Sequence, residues 1–391
     1  MGARLHNVRV AVWGEAPETA EERKTYCCVA YFFNYLDRAV LANAYVSGMK
    51  DDIHLKGNEY QLLVTCLSVG YIIGQVPHGL AIQKIAPRIW FPSMTLIWAC
   101  LTMASAGCNS FGSLATVRFL QGIFEASTYS GTQYVIGSWY KSAEIGKRVG
   151  LFQASGMVGT MFSGVMMTAI WKTMDGVSGM AGWRWSFIID GVITIPVAIF
   201  GFIFFPDLPE TTSAFYLKPH ERELAVNRLP PKNPDGHRIG FSLVKRVLFT
   251  ANFWIFTIFW VIGGALEAFT TQSCMLLWMK ASKLFSVPQN NTYPLGITAV
   301  AIDATRKHAP FGFFACAVQI IACIVLLCWN SIGMGGKMAG YYLAGTAYMI
   351  QPVTFIWANI ILSRAGDDAA RAVTLYSMNG AYGLPILSAR F

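Results

Sequence analysis

The stretch Arg118-Phe119-Leu120-Gln121-Gly122-Ile123-Phe124-Glu125-Ala126-Ser127 decides how the whole chain is read. It sets an arginine and a glutamate inside an apolar run, Leu114 to Gly137, long enough to cross a bilayer as a helix. Arg118 and Glu125 are seven positions apart, so at 3.6 residues per turn they share a face, about 10.5 Å apart along the axis. Gln121 lies between them on that face. Gly122, Ala126 and Ser130 form a row of small residues where a neighbouring helix can approach closely. A charge at mid-bilayer costs at least ~2.5–3.5 kcal/mol on insertion scales, so such residues face a partner or a cavity. Two readings compete: a structural ion pair between packed helices, or an arginine facing an anion beside a glutamate that carries a proton.

Composition supplies the setting. Of 391 residues, 54% are hydrophobic and 13% charged, about half the ~25% charge of soluble domains. Mean hydropathy is +0.44. This pattern indicates an all-α polytopic membrane protein embedded in a lipid bilayer. The net charge of +9 does not point to nucleic acid, because basic residues at the ends of apolar spans are what cytoplasmic loops carry. The nine cysteines lie mostly in apolar runs and are expected as free thiols. None forms a C-x-x-C pair and no His cluster has metal-ligand spacing, so no metal site is expected. No nucleophile–base pair or phosphate-binding loop suggests an enzyme. Residues 1–24 are polar, lack the pattern of a cleavable signal peptide, and are expected to be a cytoplasmic tail.

Residues 25–205 contain six apolar runs: Thr25–Val46, Tyr60–Gln83, Arg88–Gly107, the opening run, Arg148–Trp171 and Trp183–Phe205. Gly70 and Gly74 are spaced as a packing pair, and the fifth run has two small-residue rows, Ser155-Gly159-Ser163 and Gly156-Thr160-Gly164. Residues 206–250 form a long polar connection. The second half, 251–391, shows apolar runs at Ala251–Met279, Phe311–Trp329, Met338–Leu362 and Ala372–Leu387, with only a ten-residue stub at Tyr293–Ile302. Lys84, Arg88, Lys141, Lys147 and Arg148 fall on the side of the long connection, which the positive-inside rule makes cytoplasmic. The sequon Asn290-Asn291-Thr292 falls in an expected outer loop. Six spans, a long inner connection and a second set of spans is the layout of a transporter built from repeated halves.

Three motifs refine this. Phe33-Asn34-Tyr35-Leu36-Asp37-Arg38, Arg118-Phe119-Leu120-Gln121-Gly122 and Gly182-Trp183-Arg184-Trp185-Ser186-Phe187-Ile188-Ile189-Asp190-Gly191 occur at the first, fourth and sixth runs. With them the chain resembles the major facilitator superfamily, specifically its anion:cation symporter (allantoate permease) family, and is most similar to fungal pantothenate permeases, with fungal biotin permeases close by. The superfamily pattern between the second and third helices is altered, with Gln83 for its acid and Ala86 for its second glycine.

The resemblance implies a major facilitator fold of two six-helix halves and proton-coupled symport of a small organic anion across the plasma membrane. It implies that Arg38 and Arg118 attract the anion, with Gln121 and Asn34 at the substrate site, while Asp37 and Glu125 bind protons. Glu267 either lines the cavity as a third proton-coupling acid or bonds a neighbouring backbone. Arg184 and Asp190 are expected to form a structural ion pair. Tyr129, Gln133 and Tyr134 either supply polar contacts or simply pack. Burial raises a carboxylate's pKa and a nearby arginine lowers it, so protonating Glu125 would free Arg118 for a substrate carboxylate, and the two bindings become linked. The proton is the coupling ion, no cofactor is implied, and the protein is expected to act as a monomer. Competing expectations are biotin or another carboxylate as substrate, or a family member that does not transport. The second half reads as incomplete, with a short helix 8, a partial helix 11 and no helix 12, and the first helix also looks shortened. As written, the chain is therefore expected not to be a working transporter.

Overall fold

A computed structural model of the chain describes residues 21–388, apart from 141, 206, 214–218, 228–240, 269–271, 283, 287–288, 290–307 and 345–349. Among the described residues every regular element is helical. In the first half these are α1 (Glu21–Ala44), α2 (Glu59–Ala81), α3 (Pro87–Ser105), α4 (Phe111–Glu125), α5 (Thr128–Trp139), α6 (Ser142–Thr173) and α7 (Gly182–Phe204). The connection contains α8 (Pro219–Asn227) and α9 (Phe241–Leu248). The second half supplies α10 (Ala251–Ala268), α11 (Gln272–Ser282), α12 (His308–Leu327), α13 (Met334–Ala344), α14 (Ile350–Ser363) and α15 (Asp368–Ser388).

The first helix is not short. It begins at Glu21, inside the expected tail, and runs on past Ala44 through a π-helical turn, Tyr45–Met49. From Glu21 to Met49 it rises about 43 Å, more than the ~30 Å hydrocarbon core. Its first turn, Glu21-Glu22-Arg23-Lys24, is too polar to register as part of an apolar span. Gly48 takes φ +115° in the π-turn, a conformation open to glycine at little cost.

The opening run is two helices, not one. α4 ends at Glu125 and α5 starts at Thr128, with a turn at Ala126 and Ser127. Both flanks are apolar, so composition carries no mark of the break. The Ile123 carbonyl beside it accepts a hydrogen bond from His78 Nε2 at 2.8 Å, and His78 Nδ1 accepts from Trp90 Nε1 at 3.1 Å. These two bonds leave His78 as the neutral tautomer protonated on Nε2.

Small residues close the first half as their spacing predicts. Gly122 faces the Leu67 carbonyl on α2, and Gly70 faces the Phe119 carbonyl on α4. A Cβ on Gly74 would stand 2.7 Å from the Ile123 carbonyl. On the other side, Gly159 of α6 faces the Phe32 carbonyl of α1, and Ser163 accepts from Asn43 Nδ2 at 2.9 Å.

The expected spans Ala251–Met279 and Met338–Leu362 are helical on either side of 269–271 and 345–349, which lie outside the described residues, as α10 with α11 and α13 with α14. Residues 242–248 of α9 and 251–262 of α10 bend by 62° across the end of the connection. α15 is 21 residues long and starts four residues before the expected Ala372. It rises about 32 Å, close to the ~30 Å of the hydrocarbon core. The Tyr293–Ile302 stub, the Asn290 sequon and Asp303-Arg306-Lys307 lie outside the described residues.

Among the described residues, three helices qualify as membrane spans by length and composition, α2, residues 148–173 of α6, and α7, with the bent pair a fourth. Exposure shows the same setting in another way. Ile73, Ile199, Ile203, Ile255, Ile258 and Ile324 are all more than half exposed, while Asp37, Arg118, Gln121, Glu125 and Asp190 are at most 1% exposed. Apolar side chains outside and ionisable ones inside is the arrangement a bilayer requires. The halves meet mainly at the end of the bundle nearest the connection. There Asn359 Nδ2 donates to the Gln133 carbonyl at 2.8 Å, and Arg371 Nη2 to Ser138 Oγ at 2.6 Å. Tyr376 Oη donates to the Ser127 carbonyl at 3.2 Å, and the Tyr129 and Phe355 rings stand 4.8 Å apart. At the far end Lys280 Nζ donates to the Tyr45 carbonyl at 2.7 Å.

Candidate functional site

Four helices of the first half bring one polar cluster together. α1 carries Asp37 and Arg38, α3 carries Thr102, α4 carries Arg118, Gln121 and Glu125, and α7 carries Asp190. Asp37 Oδ1 accepts from Thr102 Oγ1 at 3.1 Å, and its Oδ2 accepts from Gln121 Nε2. Gln121 Oε1 in turn accepts from Arg118 Nη1 at 3.1 Å. The amide therefore links Arg118 to Asp37 with its acceptor and donor turned the appropriate ways.

Glu125 pairs with Arg38, not with Arg118. Arg38 Nε donates to Glu125 Oε1; the glutamate side chain is fully buried and the arginine side chain 33% exposed. The Arg38 guanidinium lies 4.7 Å above the ring of Tyr71, a cation–π contact. The reason for the exchange of partners is geometric. Seven residues along one helix is too long a reach for an ion pair, so each charge finds its partner on another helix.

Arg118 is 0% exposed and its guanidinium stands 5.3 Å from the Phe187 ring centroid. Its Nε and Nη2 donate no hydrogen bond, and Glu125 Oε2 and both Asp190 carboxyl oxygens receive none. Nε–H and Nη2–H lie on one edge of the guanidinium, the side-on fork that matches a carboxylate. Buried donors left unmatched cost about 1–3 kcal/mol each, and this edge has the geometry to take a carboxylate.

A sequence profile of the Major Facilitator Superfamily matches residues 27–387. The chain belongs to that superfamily. The pantothenate transporter liz1 of Schizosaccharomyces pombe is 40% identical over 367 residues, 91% of this chain and 71% of that protein. The pantothenate transporter FEN2 of Saccharomyces cerevisiae is 39% identical over 375 residues, 91% of this chain and 72% of its own length. Among solved structures, an inward-facing bacterial homologue of the human lysosomal transporter Spinster superposes with a TM-score of 0.66 at 15% identity, covering 95% of this chain and 82% of that one. The superfamily fold is thus shared, and the relatives place the chain among multi-pass membrane transport proteins, not enzymes.

Within this superfamily fold the Arg184–Asp190 pair does not form. Arg184 Nη2 stands 3.2 Å from Asp52 Oδ2, and its Nη1 donates to the Ala106 carbonyl at 2.7 Å, so it clasps the far ends of α1 and α3. Six residues along a helix turn the side chain through about 240°, which sends Asp190 to the opposite face. There it meets Asp37 and Arg118. Asn34 is buried one turn before Asp37, and its Nδ2 has no hydrogen-bond partner. Glu267 falls on α10, and its side chain lies outside the described residues. Tyr129, Gln133 and Tyr134 belong to the contact between halves; Arg371 stacks 5.0 Å from the Tyr134 ring.

Sequence reasoning missed Thr102 and Tyr71, since one threonine or tyrosine in an apolar run carries no mark. Asp207, just beyond α7, accepts from the Arg88 backbone N–H at 3.1 Å, and its Oδ2 lies 3.4 Å from Arg88 Nε. Burial pushes the Asp207 carboxyl above the ordinary range, and Arg88 opposes that shift. Among the described residues no group of three His, Cys, Asp or Glu side chains gathers as metal ligands would.

Proposed function

We propose that this chain is a proton-coupled symporter of a small organic anion, pantothenate first, in the plasma membrane. The observation that carries this reading is the buried Nε/Nη2 edge of Arg118, which donates no hydrogen bond, beside Asp37 and Asp190. Pantothenate presents one carboxylate, and that edge takes one carboxylate in two parallel charge-assisted bonds. The likeness to two fungal pantothenate transporters supports the choice of substrate.

Coupling follows from Glu125. As a carboxylate it matches the charge of Arg38. When it takes a proton, Arg38 is released and adds a second positive charge to the substrate site, so anion and proton favour each other's binding. Asp37 is the second candidate for a coupling proton. The N-terminus and the connection face the cytoplasm, and the two halves rock about the midplane site in alternating access.

The test joins uptake to binding. Labelled pantothenate and biotin are offered to yeast lacking their own permeases, and pantothenate binding to the purified chain is measured in parallel. Saturable pantothenate uptake, abolished by a protonophore and by Arg118→Ala, is the expected result. Biotin binding in place of pantothenate reassigns the substrate. Binding without uptake makes the chain a non-transporting member, and no binding of either vitamin overturns the proposal.

A further inference from the structure

Asp190 is the one acid of the cluster that no donor serves. Its carboxyl is 1% exposed, and neither oxygen receives a hydrogen bond from any other side chain or from the backbone. The Asp37 carboxyl faces it from α1. Asp37 has both oxygens engaged, by Thr102 and Gln121. Two carboxylates are acceptors only, so a contact between them becomes a hydrogen bond only when one holds a proton.

We infer that Asp37 and Asp190 share one resident proton, carried on Asp190 and donated to Asp37. Charge counting agrees. Asp37, Asp190 and Glu125 contribute three negative charges, and Arg38 and Arg118 two positive ones. Without a proton this buried group is net negative by one and repels an anion; with one proton it is neutral. The proton enters from solution onto an Asp190 oxygen, its O–H points to Asp37, and it returns to solution when the pair ionises. No bond other than O–H is made or broken.

The charged groups facing Asp190 from its packed neighbours are Asp37 of α1 and Arg118 of α4. Thr102 of α3 is uncharged, and Arg184 on the same helix is turned away to Asp52. The resident proton keeps Arg118 from facing two negative charges, so its open edge stays available to a substrate carboxylate. This role rests on the anion-symport reading; the proton itself does not.

Infrared spectroscopy of the purified full chain in liposomes tests the proton directly. A protonated-carboxyl stretching band should persist at neutral pH and shift on exchange into deuterium oxide. It should vanish in Asp190→Asn and in Asp37→Asn, and remain in Glu125→Gln. No such band at neutral pH in the unaltered chain, or one that survives both aspartate variants, overturns the inference. Pantothenate binding supplies the second arm. At alkaline pH, where the pair ionises, affinity of the unaltered chain should fall at least tenfold. Asp190→Asn cannot ionise and still donates to Asp37, so it should hold its affinity there. Parallel loss in Asp190→Asn counts against the resident proton while leaving anion binding intact. A band that behaves as expected in a chain that binds no pantothenate refutes the substrate reading alone. Helical circular dichroism and gel-filtration profile check the fold of each variant, and Asp37→Asn stands in should Asp190→Asn misfold.

Discussion

Replacing Glu125 by Gln should strengthen anion binding while disabling accumulation. The side chain keeps its shape but loses its charge, and Arg38 is left without a counter-ion. A carboxylate and a guanidinium about 4 Å apart attract by ~4 kcal/mol at an effective dielectric constant of about 20. A substrate anion in the unaltered chain competes with that attraction for the charge of Arg38. The arginine side chain is 33% exposed, and reorganisation consumes much of the gain, so the lower part of the usual 1–3 kcal/mol coupling range applies. About 1–2 kcal/mol corresponds to roughly 5- to 30-fold tighter pantothenate binding at neutral pH. Titration calorimetry on the purified variant measures it. In vesicles, exchange of labelled for unlabelled substrate should survive, while an imposed proton gradient should no longer drive accumulation. Unchanged or weaker binding at neutral pH, or accumulation at the unaltered level, would refute the pairing of Glu125 with Arg38 as the coupling element.

Arg118→Ala and Arg38→Ala should each weaken pantothenate binding by about 2–5 kcal/mol with membrane insertion unchanged, read by calorimetry and by carbonate extraction of membranes; normal binding by both variants removes the anion clamp. Gly122→Val drives a side chain into the Leu67 carbonyl and should cost about 1–3 kcal/mol of stability; thermal unfolding in detergent should show it, whereas Gly112→Ala, which meets open space, should leave the midpoint unchanged. Asp207 binds its proton more tightly in the folded chain than in the unfolded one, so its contribution to stability falls as pH rises from the ordinary carboxylate range through its raised value. Asp207→Asn should remove that part of the decline, and a variant that loses stability with pH as steeply as the unaltered chain would contradict this.

How much of this was legible in the sequence depends on how local each feature is. The packing of α2 on α4 could be read because small-residue spacing alone dictates it, and Gly70, Gly74 and Gly122 meet neighbouring backbone as expected. The inward placement of Asp37, Arg118, Gln121 and Glu125 was likewise readable, since charge in an apolar run has few stable locations. Which acid pairs with which arginine was not. That choice depends on how α1, α4 and α7 are rotated about their axes, and the nearest opposite charge in sequence is a poor guide. Arg184 lies only six residues from Asp190 and yet reaches Asp52. Helix boundaries failed for a related reason. Apolarity marks where lipid contacts the chain, so the polar first turns of α1 and α15 were cut off, and the turn at Ala126 was invisible between two apolar flanks.

That turn gives the opening stretch a second meaning. Glu125 is the last residue of α4, and two residues later the Ser127 carbonyl accepts the hydroxyl of Tyr376 from the second half. α5 then presents the Gln133 and Gly137 carbonyls and the Ser138 hydroxyl to Asn359 and Arg371. α4 is held to α2 by backbone contact at Gly70 and Gly122, and His78 fixes the Ile123 carbonyl beside the turn. α5 bonds to its own half through Ser130 and Gln75 as well as to the other half, and the glutamate that answers to Arg38 sits just before its start. A change of partner at Glu125 therefore acts two residues from a bond that holds the halves together.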